Sequence, residues 1–300
     1  MVATRPGRAA TAALAVSALV LAAGCAGTQT TSADAPTPVG SEDPGIGHVH
    51  ALSVDPGDGA LYIAGHYGLF KVTSKTDAVR VAGRIQDNMG FTILGPKTFL
   101  ASGHPSMPDM QAGKAPHLGL IRSTDAGVTW TTVSDEGTAD FHSLQPAGTE
   151  LYAYDSQTSR VRRSGDEGRT WKLGAQAQIA DLAAHAGEPL RVYATTAEGL
   201  ARSTDGGESF TPLDGAPPIV LADAPAKDTL IGAAEDGRLH TSQDAGRTWT
   251  ELGRLPAPPS ALNATDPKRL LAALQDGTAV ESTDGGRTFT VVFQPANASH

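Results

Sequence analysis

One eight-residue pattern recurs five times in this chain and constrains everything else. It reads Ser-x-Asp-x-Gly-x-Thr/Ser-aromatic, as in Ser203-Thr204-Asp205-Gly206-Gly207-Glu208-Ser209-Phe210. The other copies run from Ser123 to Trp130, Ser164 to Trp171, Ser242 to Trp249 and Ser282 to Phe289. Successive serines are 41, 39, 39 and 40 residues apart. Repetition at this period signals a repeat architecture, and ~40–45 residues suit one four-stranded propeller blade.

Each part of the pattern has a physical task. The Asp side chain accepts hydrogen bonds from N–H groups of its own turn. The Gly supplies a backbone conformation that other residues resist. The aromatic opens the next strand and can pack between neighbouring blades. The pattern resembles the Asp-box of bacterial sialidases and other BNR-repeat propellers, over residues 47–293. The resemblance implies a fold more than an activity, because one fold hosts many functions. Asp125, Asp166, Asp205, Asp244 and Asp284 are therefore expected to be structural.

The expected fold is all-β, a six-bladed β-propeller with Asp-box turns in blades two to six. The blades are read at 47–83, 88–133, 140–173, 178–213, 217–252 and 258–293, with a tail at 294–300. Short alternating runs separated by turn residues fit antiparallel strands. Blade one carries a decayed box, Ser74-Lys75-Thr76-Asp77, without the Gly and aromatic. Its own first strand and the last strand of blade six imply a ring closed by side-chain packing.

Residues 1–24 read as a signal peptide: Arg5 and Arg8, then an apolar run from Ala9 to Ala23. The run is too short and too early for a spanning helix. It ends Leu21-Ala22-Ala23-Gly24-Cys25, and Cys25 is the one cysteine of the chain. This resembles a bacterial lipobox, with Leu21 one place further from Cys25 than the usual pattern. The resemblance implies an exported protein tethered by lipid on Cys25 to the outer face of the cell membrane. A lone cysteine excludes an intrachain disulfide. Residues 26–45 are Thr, Ser, Pro, Ala and acidic, and 25–46 reads as a flexible tether. Removing 1–24 takes the net charge from −9 to −11. That balance argues against nucleic acid as a partner.

Strand order locates a functional face. The start of each first strand and the second-to-third loops share one end of the ring, here called the mouth. The box turns lie at the other end. His48 and His50 start the first strand of blade one, and Asp140 and His142 hold the same register in blade three. Alternation along a strand puts His48 and His50 on one side. His66 ends the second strand of blade one. His104 follows that of blade two, in the parallel phrases Ala64-Gly65-His66 and Ser102-Gly103-His104. Tyr154 and Asp155 end the second strand of blade three, and Asp87 precedes the first strand of blade two. An insertion from Gly103 to His117 adds Met107, Met110 and His117. Long loops beside a regular scaffold are where function concentrates.

Three chemistries compete for this mouth. The first is binding of an ion or ligand by His48, His50, His66, His104, His142 and Asp155. Imidazole suits zinc and copper, and thioether sulfur favours Cu(I). The candidate metal ligands are His66, His104, His142, Met107, Met110 and His117. The second is glycoside hydrolysis, implied by the sialidase resemblance, with Asp87, Asp140 and Asp155 as acid and base and Tyr154 available. Sialidases, however, carry an arginine triad and a Phe/Tyr-Arg-Ile/Val-Pro motif. This chain lacks the motif, and Arg122, Arg163 and Arg202 stand at the box end. The third is a non-catalytic binding module for an envelope protein or glycan. Asp-box propellers also resemble photosystem assembly factors and sorting receptors. The phrase Met89-Gly90-Phe91-Thr92 is similar to exported bacterial Asp-box proteins labelled glycosylhydrolase-like. The binding module is the favoured reading.

Overall fold

The computed structural model describes residues 43–296. The signal, Cys25 and most of the tether lie outside these residues, as does the end of the tail. The described chain forms six four-stranded antiparallel sheets, each made of consecutive strands. The first is β1 (Val49–Val54), β2 (Leu61–Gly65), β3 (Gly68–Val72) and β4 (Ala78–Arg80). The second is β5 (Asp87–Gly95), β6 (Thr98–His104), β7 (Leu120–Ser123) and β8 (Thr131–Ser134). The third is β9 (Phe141–Ala147), β10 (Glu150–Asp155), β11 (Arg160–Ser164) and β12 (Lys172–Gln176). The fourth is β13 (Ile179–Ala184), β14 (Val192–Thr196), β15 (Gly199–Ser203) and β16 (Thr211–Pro212). The fifth is β17 (Ile219–Ala226), β18 (Thr229–Ala234), β19 (Arg238–Ser242) and β20 (Thr250–Arg254). The sixth is β21 (Pro259–Ala264), β22 (Leu270–Leu274), β23 (Ala279–Ser282) and β24 (Thr290–Phe293). This is a six-bladed β-propeller.

The core is divided among the blade interfaces. Tyr62, Leu69 and Phe91 join blades one and two, and Leu100, Leu120, Phe141 and Leu144 join two and three. Further apolar clusters join three to four, four to five and five to six. The sixth interface closes the ring: Ile46, Val49 and Phe70 pack on Leu271, Ala273 and Phe293. The Gln294 N–H also donates to the Lys75 carbonyl at 2.7 Å. Among the described residues no strand is shared between the first and last blades, so closure rests on side-chain packing together with that backbone bond.

The five repeated turns are built alike, and the buried hub of each is its serine. Ser203 Oγ donates to Asp205 Oδ1 at 2.6 Å and accepts the Gly207 N–H at 2.8 Å. Asp205 in turn accepts the Ser209 N–H at 3.0 Å and its hydroxyl at 2.5 Å. The same bonds recur around Asp125, Asp166, Asp244 and Asp284. The serine is buried in every copy, whereas the Asp lies toward solvent. The aromatic after the turn enters the neighbouring interface: Trp171 packs on the blade two–three core and donates to Ser134 Oγ at 2.9 Å.

Three local features differ from the sequence expectation. The insertion holds a short helix, α1 (Met107–Gln111), because Ser106 Oγ accepts the Asp109 N–H at 3.2 Å and a proline sits in its first turn. Strand β5 begins at Asp87, within the segment expected to precede it, since Asp87 pairs with His104 across the sheet. Strand β16 is only two residues long, as Pro212 has no N–H for the ladder.

Candidate metal centre at the mouth of the ring

Every innermost strand carries a bulge near its start. The register slips between Val49 and Ala51, Asn88 and Gly90, Ile179 and Asp181, Ile219 and Leu221, and Pro259 and Ala261. In β9 the slip leaves His142 unpaired between Phe141 and Ser143. The extra residue of a bulge is free of the ladder and its side chain is re-aimed. In blades one and three that residue is His50 and His142. Simple alternation therefore does not place His50, yet its ring centroid lies 5.0 Å from that of His48.

Asp87 is the hub of the first half of the mouth. His50 Nε2 stands 3.3 Å from Asp87 Oδ1, and His66 Nδ1 stands 3.5 Å from Oδ2. His104 Nδ1 is also 3.5 Å from Oδ2. Gly103 makes that approach possible: a Cβ there would lie 2.3 Å from the Asp87 carbonyl oxygen. His104 turns its other nitrogen the opposite way, with Nε2 3.4 Å from Asp140 Oδ2. His142 Nε2 reaches the same oxygen at 2.8 Å. The His117 ring lies against that of His104, tilted by 53° with centroids 5.4 Å apart.

Charge at the site follows from these contacts. Burial works against the Asp87 carboxylate, but the contacts of His104 and His50 hold it down to about 2. Burial likewise opposes the Asp140 charge, and His104 and His142 hold that carboxyl well below the usual range. Asp140 and then Asp87 raise His104 to about 10. Burial, with His50 and His66 nearby, lowers His48. Without an ion, His104 is thus an imidazolium between two carboxylates.

Two trios bring ligand atoms within 4.8 Å of one another: His50, His66 and Asp87, and then His104, His117 and Asp140. Four of their buried atoms have no hydrogen-bond partner, namely His50 Nε2, Asp87 Oδ1, His117 Nδ1 and Asp140 Oδ1. Such orphaned groups are costly unless something else satisfies them. Four donors around a tetrahedral ion at ~2.0–2.1 Å stand about 3.3 Å apart. The His50–Asp87 separation is that spacing.

The other sequence candidates fall outside the trios. Asp155 is fully buried behind Asp140, with both oxygens taken. Oδ1 accepts the Asp140 and Gln157 N–H groups, and Oδ2 accepts Thr158 Oγ1 and Arg162 Nη2. It positions Asp140 rather than meeting a ligand. Tyr154 turns into the core between blades three and four. Met107 and Met110 sit on α1 with 60% and 37% of their surface exposed. Arg162 was missed as a supporting residue; its signal is a buried arginine at a strand position flanked by Val161. Arg122 and Arg163 pair with Glu167 and Glu150, away from the mouth.

No family model matches the chain. A xyloglucanase of Hypocrea jecorina (strain QM6a) is 29% identical over 153 residues, 42% of this chain. The match spans only 18% of that enzyme's length. A GH74 xyloglucanase structure from Xanthomonas campestris superposes with a TM-score of 0.52 at 17% identity, covering 82% of this chain and 45% of that one. A structure of YCF48 bound to D1 peptide gives a TM-score of 0.52 at 15% identity, covering 83% of each chain. A chain of a nidogen/laminin complex gives 0.60 at 12% identity, covering 80% of this chain and 95% of that one. The chain is thus a propeller with a weak xyloglucanase homologue, and its structural neighbours include both enzymes and binding proteins. At these identities the structural likeness is one of fold.

From the mouth a narrow cavity of ≈ 80 Å³ leads down the ring axis, lined by His50, Met89 and His142, then Asp181, Asp223 and Asn263.

Proposed function

We propose that this chain is an exported Asp-box propeller, anchored by lipid on Cys25, that binds zinc or copper at its His/Asp mouth and works as a binding protein. The observation that carries the metal reading is the His50–Asp87 pair: 3.3 Å apart, buried, and each atom without a hydrogen-bond partner. Imidazole and carboxylate together suit zinc and copper(II). The five Ser-x-Asp turns support the Asp-box assignment, and Cys25 after an apolar run supports the anchor. The peptide-bound YCF48 structure supports a protein or peptide partner at the ring, and the xyloglucanase likeness supports a glycan as the other ligand class.

Isothermal titration of the untagged protein with zinc sulfate and copper(II) sulfate tests this. Tight binding that is lost in His50→Gln and Asp87→Asn is expected. Absence of binding at micromolar ion would overturn the reading.

Glycoside hydrolysis is the second reading, favoured by the xyloglucanase match. It would use Asp87 and Asp140. A general acid needs a raised carboxyl pKa, and both of these are lowered by their imidazoles. Turnover of xyloglucan oligosaccharides by the metal-free protein would reverse this preference.

A further inference from the structure

We propose that the mouth takes two ions, with the imidazole ring of His104 bridging them. This rests on the reading of the mouth as a metal site and names its stoichiometry and link. The two trios of ligand atoms share no residue. His104 nevertheless touches both halves, Nδ1 at 3.5 Å from Asp87 Oδ2 and Nε2 at 3.4 Å from Asp140 Oδ2. The lone pairs of the two ring nitrogens diverge, so one ion cannot use both. An ion with bonds of ~2.0–2.2 Å also cannot join donors more than about 4.4 Å apart. One ion therefore cannot serve both carboxylates through this ring.

The orphaned atoms divide the same way. His50 Nε2 and Asp87 Oδ1 fall in one half, His117 Nδ1 and Asp140 Oδ1 in the other. The first ion would be held by His50, His66, Asp87 and His104 Nδ1. The second would be held by His104 Nε2, His117 and Asp140, with His142 Nε2 adjacent at 2.8 Å from Asp140 Oδ2. The first set offers four donors, the number a closed four-coordinate site requires, and the second offers three, with His142 beside it as the fourth.

The proton balance is explicit. A neutral imidazole carries one N–H. For both nitrogens to bind, that proton leaves to solvent, and each nitrogen gives its lone pair to one ion. An imidazolium gives up two protons. No electron is transferred, and both ions stay divalent. Two carboxylates and one imidazolate then offset most of the charge of the two ions.

The test uses the purified, untagged protein loaded with copper(II) sulfate and freed of excess ion. Elemental analysis gives the copper per chain, and electron paramagnetic resonance reads whether the two spins are coupled. The expected result is two copper ions per chain with most of the resonance intensity lost, because an imidazolate couples the spins. Acid release should restore the full Cu(II) signal. In His104→Gln, bound copper should fall to at most one ion, with full intensity per ion bound. Two ions with full, uncoupled intensity would overturn the bridge, and one ion in the native protein would overturn the second site. No copper and no zinc at all would instead overturn the metal reading of the mouth.

Discussion

His50 Nε2 lies 3.3 Å from Asp87 Oδ1, yet the two atoms are too poorly directed for a hydrogen bond and neither has another partner. The two residues come from neighbouring blades. The bulge in β1 lifts His50 out of its ladder, and the Asp87–His104 pairing fixes Asp87 at the start of β5. Backbone geometry alone thus assembles the pair. Such preformed but unsatisfied donors release free energy when an ion fills them.

The first prediction is a metal-dependent melting temperature. An ion that binds only the folded chain, present at about 100 times its Kd, stabilises by about 2.7 kcal/mol. For a domain of this size that is roughly a 5–10 °C rise. Scanning calorimetry with zinc, and then with a chelator, should show the rise and its reversal. An unchanged melting temperature with bound zinc would mean that the unfolded chain binds it equally well.

Replacing the buried serine of a turn should cost more than replacing its Asp. Ser203→Ala leaves the buried Gly207 N–H without an acceptor, a loss of about 1–3 kcal/mol. Asp205→Ala removes an exposed acceptor whose donors can turn to water, nearer ~1 kcal/mol as for a helix cap. Chemical denaturation measures both. Neither should change metal affinity, because these turns lie at the end of the ring away from the mouth.

The fold was legible because its signal is periodic: five copies of one turn at fixed spacing leave few architectures. The gathering of histidines at one end was legible from strand order, which placed His66, His104 and His142 there. Which side chains meet there was not. It depends on bulges at His50 and His142, which single-strand alternation does not reveal. It also depends on Gly103, which lets His104 close onto Asp87. Asp155 was misread because its strand-end position looks open, whereas Arg162 and Thr158 draw it into the blade.

The thioethers give a third prediction. Met107 and Met110 lie on α1, largely open to solvent and outside both trios. The double variant Met107→Leu/Met110→Leu should bind zinc and copper(II) as the native protein does. A drop of tenfold or more in either affinity would bring the helix into the coordination sphere.

The anchor gives a fourth. Cys25→Ala should move the protein from the membrane fraction to the soluble one, with its melting temperature unchanged. Mass spectrometry of the native protein should show a lipid on Cys25. Native protein free of lipid would remove the tether from the functional account.

The last prediction concerns the channel. Asp223 is buried there, and burial raises it to about 6, although its oxygens accept the Ala264 and Ala224 N–H groups at 2.7 Å each. Burial also raises Asp181, to about 7, with the charge of Asp223 adding to the effect. The folded chain therefore holds these protons more tightly than the unfolded chain, whose carboxyls titrate near ~3.9. The resulting stability is fully present below that unfolded value and is lost as pH rises through about 6 to 7. His104, raised to about 10, adds its own loss of stability above ~6.5 in native protein and variant alike, so the difference between the two isolates Asp223. Asp223→Asn adds a constant cost, since the amide can accept only one of the two N–H groups well. It also removes one titration. The metal-free variant should lose less stability than the native protein between about pH 4 and pH 8. Denaturation curves across that range compare the two slopes. Equal slopes would mean that water in the channel solvates Asp223 and that it ionises as an ordinary surface carboxylate does.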